Sequence, residues 1–218
     1  MVVPIRDAGS VSDFLSKIQR AQWSDDGIDT PCGDCDLCCR GLSISIEADE
    51  SSTLDAIEPQ LLDAHQSGDL SYWTIKMKPD GSCPKLVGGK CSIWKDRPRV
   101  CKRFDCRLFA LGELPPPVRN QSFTDLVNSW RFSIDLQDDE ENFEAFRRAM
   151  QLISLHQSTF AKRGIEAGTI QAASLAIDLR HLFFKQSDSL EQKDQLADAL
   201  IEMRRLQSQV RSSAQRAD

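Results

Sequence analysis

All eight cysteines of this 218-residue chain lie between Cys32 and Cys106, and none lies in the remaining two thirds. They form two groups: Cys32, Cys35, Cys38 and Cys39 in a C-x2-C-x2-C-C run, then Cys83, Cys91, Cys101 and Cys106 at wide spacing. Two residues between cysteines let the backbone turn back and aim both sulfurs at one point, as a metal ion or cluster requires. A chain of this length buries enough apolar surface to fold without disulfides. The crowded thiols therefore read as ligands, and the rest of the chain as a body built around them.

Eight thiols suffice for two four-cysteine sites or for one site with residues to spare. Cys38 and Cys39 start from neighbouring α-carbons and diverge in most conformations, so they either feed two centres or divide into one ligand and one packed side chain. Zinc and iron–sulfur both accept thiolate-only ligation. Cys32, Cys35 and Cys38 reproduce the first three positions of a ferredoxin-type C-x2-C-x2-C run, and Cys83-Pro84 imitates its terminal C-P. Equally, Cys32-Gly33-Asp34-Cys35 has the form of a zinc knuckle. All eight cysteines are candidate metal ligands, for zinc or for iron.

Charge is distributed in keeping with this. The net charge is −6, yet residues 83–107 carry eight bases (Lys85, Lys90, Lys95, Arg97, Arg99, Lys102, Arg103 and Arg107) against Asp96 and Asp105. A metal held by four thiolates carries a formal charge of about −2 and calls for nearby cations. Charge compensation is thus preferred over nucleic-acid binding, for which the acidic chain shows no motif. If nucleic acid were bound, Trp94 and Phe104 would be the stacking groups. Hydrophobic residues make up 40% and charged residues 28%, a globular composition. No run is long enough to cross a bilayer, and Met1-Val2-Val3-Pro4-Ile5-Arg6-Asp7 lacks the apolar core of a signal peptide. We therefore expect a cytoplasmic protein, with reduced thiols and no membrane association.

Periodicity supplies the frame. Ser10 and Asp13 stand at capping-box spacing before Val11, Phe14, Leu15 and Ile18, which predicts a helix over 10–23. Leu42 to Ile46 alternate as a strand. Leu54, Ile57, Leu61 and Leu62 follow at helical spacing, with Gly68 as the stop. Tyr72 to Met77 alternate again as far as the Pro79-Asp80-Gly81 turn. Gly88-Gly89 closes a hairpin that brings Cys83 and Cys91 together. Pro98 opens a short helix carrying Cys101, and residues five apart do not share a helical face. Either that helix breaks near Phe104-Asp105, or Cys101 and Cys106 serve different centres.

Beyond the Leu114-Pro115-Pro116-Pro117 spacer the sequence reads as helical. One helix carries Phe123, Leu126, Val127, Trp130 and Ile134, capped by Ser122 and Asp125. A second carries Phe143, Phe146, Met150, Ile153 and Phe160, closed by Lys162-Arg163-Gly164. Two more span 169–185 and 188–211. The last has Leu196, Leu200, Met203, Leu206 and Val210 in register, a face narrow enough to pair with a second copy as a homodimer. The expected class is α+β and mainly helical: an N-terminal lead-in over 1–29, an irregular cysteine-cluster domain with short strands over 30–112, and a helical region over 113–218.

The anchors Cys32, Cys35, Cys38 and Cys39, then Cys83-Pro84, Gly89-Lys90-Cys91-Ser92-Ile93-Trp94, Arg97-Pro98 and Cys101-Lys102-Arg103-Phe104, come in the order found in one family. Over residues 30–110 the chain resembles the CxxCxxCC zinc- or iron-chelating proteins, also called YkgJ-like cysteine-cluster proteins. That resemblance implies metal chelation, and some relatives are labelled iron–sulfur oxidoreductases. It supplies no substrate and no catalytic residue. Trp94 stands where many members have tyrosine.

Other chemistries fit poorly. His65, His156 and His181 are scattered, and neither a metalloprotease motif nor a nucleophile elbow is present. Gly88-Gly89-Lys90 fails as a phosphate loop because Pro84 and Cys91 occupy two of its required positions. Cys39 beside Arg40 could be an activated thiol, although the surrounding cysteines favour ligation. The expected function is a structural or regulatory metal centre acting with a protein partner. The alternative is an iron–sulfur oxidoreductase or modifying enzyme.

Overall fold

Prolines, a glycine pair and two kinds of hydrophobic repeat cut the chain into short elements. In order these are β1 (Arg6–Ser10), α1 (Val11–Trp23), β2 (Ser45–Glu47), α2 (Ser51–Asp55), β3 (Leu62–Ser67), β4 (Leu70–Ile75), β5 (Leu86–Val87) and β6 (Lys90–Cys91). They continue with α3 (Arg99–Arg103), α4 (Arg107–Leu111), α5 (Gln121–Ser129), β7 (Trp130–Ser133), α6 (Gln137–Leu155) and α7 (Thr169–Leu179). Short 3-10 turns lie at Leu37–Cys39, Pro59–Leu61 and Arg180–Phe183. The computed structural model describes residues 4–24, 27–28, 30, 35–67, 70–115, 120–155, 158, 169–184, 198 and 202. The class is α+β.

The chain folds as two compact units. The unit that holds the cysteines is drawn from Met1–Val3, Ser24–Cys106 and Pro115–Asn128; the other from Pro4–Trp23, Arg107–Leu114 and Ser129–Asp218.

In the cysteine unit, β2, β4 and β3 form an antiparallel sheet in that order. The alternation Ile44-Ser45-Ile46 is realised, with both isoleucines buried and Ser45 exposed. The helix expected through Leu54 to Leu62 is cut short. It ends at Asp55, a 3-10 turn begins at Pro59, and Leu62 opens β3. Pro59 has no N–H for a helical bond and forces Glu58 into the extended region, φ −60° and ψ 132°. Leu54, Leu61 and Leu62 keep their apolar role all the same, packing with Trp73 and Met77 on a core of Ile44, Ile46, Ile57, Ile75, Cys83 and Leu86. The expected stop at Gly68 lies outside the described residues.

In the helical unit, α1 buries Val11, Phe14, Leu15 and Ile18 as its periodicity requires. Its N-terminus is capped twice: Ser10 Oγ accepts from the Asp13 N–H at 3.3 Å, and the Asp139 carboxylate accepts from the Ser12 N–H at 2.8 Å. The helix expected to run through Trp130 to Ile134 stops at Ser129 instead. Trp130–Ser133 become β7, pairing in parallel with β1 from Arg6↔Trp130 to Ser10↔Ser133. Trp130 is buried, with the Arg6 guanidinium 5.6 Å from its ring centroid. The cap of α5 also differs from expectation, since Asn120 Oδ1 accepts from the Ser122 N–H at 2.8 Å.

Helix α6 buries Phe146, Met150 and Ile153. Arg180, itself buried, donates to Asn142 Oδ1 and Gln19 Oε1, both at 3.0 Å, tying α1 to α6. Pro116, Pro117, Phe160, the 162–164 stop and, Asp198 and Glu202 apart, the helix expected over 188–211 lie outside the described residues. Among the described residues no helix is long and apolar enough to cross a membrane.

Candidate metal centre

Each cysteine-bearing segment is fixed by its own backbone. Leu37–Cys39 form a 3-10 turn in which the Cys39 N–H donates to the Asp36 carbonyl at 2.9 Å and the Arg40 N–H to the Leu37 carbonyl at 3.1 Å. The Arg40 guanidinium forks onto Asp36 at 2.8 and 3.0 Å. Its charge is therefore shared with a carboxylate rather than aimed at Cys39 alone. The turn at Pro79-Asp80-Gly81 forms as expected, with the Gly81 N–H on the Lys78 carbonyl at 2.8 Å. Asp80 Oδ1 accepts from both the N–H and the hydroxyl of Ser82, which holds the Asp80 carboxyl below its ordinary range. This turn returns the chain to its starting side. The Gly41 N–H meets the Gly81 carbonyl at 2.9 Å and the Cys83 N–H meets the Cys39 carbonyl at 2.8 Å. Cys39 and Cys83 are thus joined through their own peptide groups.

The next thiol is placed by the hairpin. Gly88 and Gly89 adopt φ of +57° and +77°, as a two-residue turn of this hand requires. Leu86 then faces Cys91 across the ladder, while the Leu86 N–H donates back to the Cys83 carbonyl at 3.0 Å. Cys101 sits on α3, whose helix breaks at Phe104 (φ −78°, ψ 124°) before α4 begins at Arg107. Helix α3 is anchored by acids on and after β2. Arg99 pairs with Glu47 at 2.7 Å and with Asp49 at 2.9 Å, and the buried Glu50 carboxylate accepts from the Arg99 N–H and from the Glu47 N–H at 2.8 Å.

As a result Cys39, Cys83 and Cys101 all pack in the one apolar cluster, and Cys91 lies opposite its member Leu86. Burial, then the charges of Cys39, Cys83 and Cys91, raise the pKa of Cys101; burial also raises Cys83 and Cys91, with further contributions from Cys39 and, for Cys83, from Cys91. Cys39 is lowered to about 7, chiefly by its contact with Cys38, against burial and the Asp36 charge. Against these shifts, the charges of Arg97 and Lys85 favour the Cys91 thiolate and that of Arg97 the Cys101 thiolate. Lys85 is 12% exposed and pairs with Glu58 at 2.7 Å. Arg97 lies 3.8 Å over the ring of the exposed Trp94 and donates to its carbonyl at 2.7 Å.

The remaining candidates are placed differently. Cys38 lies in the same 3-10 turn, its sulfur 4.0 Å from that of Cys39. Cys35 is half-buried just before that turn, and Cys106 is buried between α3 and α4. The Thr30 hydroxyl donates to Asp105 at 3.0 Å, so the approach to the first cysteine run lies beside the residue preceding Cys106. Cys32 is outside the described residues. Phe104, the other stacking candidate, has its ring 6.4 Å from that of Phe123.

The donor type suits a thiophilic metal, since the candidates are soft sulfurs carried on separate segments. Among the described residues, no three His, Cys, Asp or Glu side chains form a ready-made ligand shell. In the helical unit, a groove of about 720 Å³ has neither cysteine nor histidine among its described lining residues, which include Glu113, Glu144, Arg147 and Phe183. The sequence pointed to the cysteines but not to Glu50 as the anchor of α3, because a lone acid before a polar run carries no motif.

Residues 31–126 match the family model CxxCxxCC, described as "Putative zinc- or iron-chelating domain". No curated protein and no solved structure matches the chain.

Proposed function

Taking residues 31–126 as a CxxCxxCC domain, we propose that this chain is a zinc- or iron-binding protein whose cysteine centre serves a structural or regulatory role and acts through a protein partner. What supports it is the packing of Cys39, Cys83 and Cys101 in one apolar cluster, with Cys91 across the ladder from its member Leu86. Buried thiols with raised pKa hold their protons until a metal displaces them, so metal binding and completion of this core are coupled. A partner is supported by Trp94, 58% exposed, and Val87, 63% exposed, on the segments that flank Cys91. Exposed aromatic and apolar groups beside arginine are the residue types that anchor protein interfaces.

The test is anaerobic purification of the full chain without chelator, with elemental analysis for zinc and iron beside a visible spectrum. At least one tightly held equivalent of either metal is expected. Thiolate-to-iron absorption identifies iron, whereas zinc leaves the protein colourless. A stably folded, metal-free product refutes the reading.

A further inference from the structure

We propose that Trp94, Lys95 and Arg97, with Val87 and Lys90 on the adjoining hairpin, form a docking surface for an acidic segment of a partner protein that also carries an apolar side chain. This rests on the partner half of the reading above, and adds to it where that partner binds and what chemistry it presents.

The anchor is a guanidinium held on a ring. Arg97 lies 3.8 Å from the centroid of the Trp94 ring and donates one N–H to the Trp94 carbonyl at 2.7 Å. Two contacts to one residue fix the guanidinium plane. Among the described residues its other N–H groups meet no acceptor. A guanidinium fixed in this way offers a preformed fork to a carboxylate. More than half of Trp94 is exposed, so ring area remains for an apolar side chain of the partner. Tryptophan and arginine are the residue types that most often dominate binding at protein interfaces.

Charge decides the sign of the partner. From Lys85 to Arg103 the chain has seven bases and one acid, Asp96. Lys85 is paired with Glu58, and Arg99 with Glu47 and Asp49. Lys90 and Lys95 are exposed and, among the described residues, neither they nor Arg97 have an ion-pair partner. Three uncompensated cations thus stand against the single carboxylate of Asp96, and they call for an anionic partner. Val87, exposed and opposite Lys90 on the hairpin ladder, places an aliphatic contact beside one of these cations. A nucleic-acid strand fits less well. It calls for successive stacking platforms, and the second candidate, Phe104, is half-buried with its ring 6.4 Å from that of Phe123. A phosphate backbone drawn by charge alone also has no use for Val87.

The test uses the full-length protein as isolated. A random peptide library displayed on phage is selected against it, and a recovered peptide is synthesised with a fluorescent label and titrated by anisotropy. Recovered peptides are expected to carry Asp or Glu beside a large apolar residue, and to bind more weakly as salt rises. Trp94→Ala should weaken binding at least about tenfold, and Arg97→Lys, which keeps the charge and loses the fork, about fivefold. Lys90→Glu should weaken it about fivefold, and because Lys90 is exposed this variant keeps the test open if either of the others fails to fold. No recovered peptide, recovered peptides without acids, or an affinity unchanged in any folded variant overturns the assignment. Tighter binding of an oligothymidine strand or of anionic lipid vesicles, weakened by the same variants, gives the surface to that partner and overturns it as well. Elemental analysis of the same preparations separates the two readings. Metal-replete protein that binds no peptide removes the docking surface alone, and metal-free protein that binds it removes the metal centre alone.

Discussion

Replacing Glu50 by alanine is expected to loosen the cysteine unit from a position that is not itself a ligand. The Glu50 carboxylate is 8% exposed and accepts two main-chain hydrogen bonds, from Glu47 at the end of β2 and from Arg99 at the start of α3. Each donor left without a partner at such a site costs about 1–3 kcal/mol. Partial rescue by water brings the expected loss for Glu50→Ala to roughly 2–4 kcal/mol. Glu50→Gln keeps one acceptor oxygen and presents an amide N–H₂ to the other donor, so about 1–2 kcal/mol should be lost there. Urea unfolding followed by far-UV circular dichroism measures both, and the order wild type, Gln, Ala is the signature. Because α3 carries Cys101, Glu50→Ala should also release metal faster than wild type. Asp139→Ala, which removes a cap of comparable worth from the helical unit, should leave that rate unchanged. If Glu50→Ala unfolds within about 0.5 kcal/mol of wild type, the anchoring role assigned to this carboxylate is wrong.

Two further predictions concern single residues. Asp139 is held below the usual aspartate range, first by the Ser12 N–H. The stability it supplies is therefore complete above the unfolded value of about 4 and is lost as pH falls through the lower folded value. The stability difference between wild type and Asp139→Asn should be flat above about pH 5 and shrink under acid; a difference that does not change with pH counts against the charge being involved. Gly27 has φ +76°, and a β-carbon there would stand 2.8 Å from the Lys102 carbonyl oxygen, which already accepts from the Ile28 N–H at 2.8 Å. Gly27→Ala should cost at least about 2 kcal/mol in thermal unfolding, and a melting curve like that of wild type would show that this approach is not tight.

Features with local causes were legible in the sequence. The Gly88-Gly89 hairpin and the face of α1 each depend on residues within a few positions of one another and form where expected, and of the two alternatives left for the helix carrying Cys101 the fold takes the break at Phe104-Asp105. Elements that depend on distant partners were not legible. Trp130 to Ser133 continue a helical repeat and become strand only because β1, some 120 residues earlier, offers its backbone. β1 itself, Arg6-Asp7-Ala8-Gly9-Ser10, has no strand pattern to read. At Leu54 to Leu62 the misreading was local, since the apolar spacing outweighed Pro59 in the reading but not in the fold. For the candidate site, spacing singled out the cysteines; which of them share the apolar cluster depends on the sheet and on the Arg99 clamp, neither of which has a sequence signature.

The chain crosses between its two units five times, and β1 waits for a partner that begins at Trp130. During synthesis the cysteine unit, complete by Asn128, leaves the ribosome before the helical unit has received its later segments. The strand pairing of β1 with β7 therefore closes only after the cysteine unit has had the chance to fold, so the two units are completed in succession rather than together.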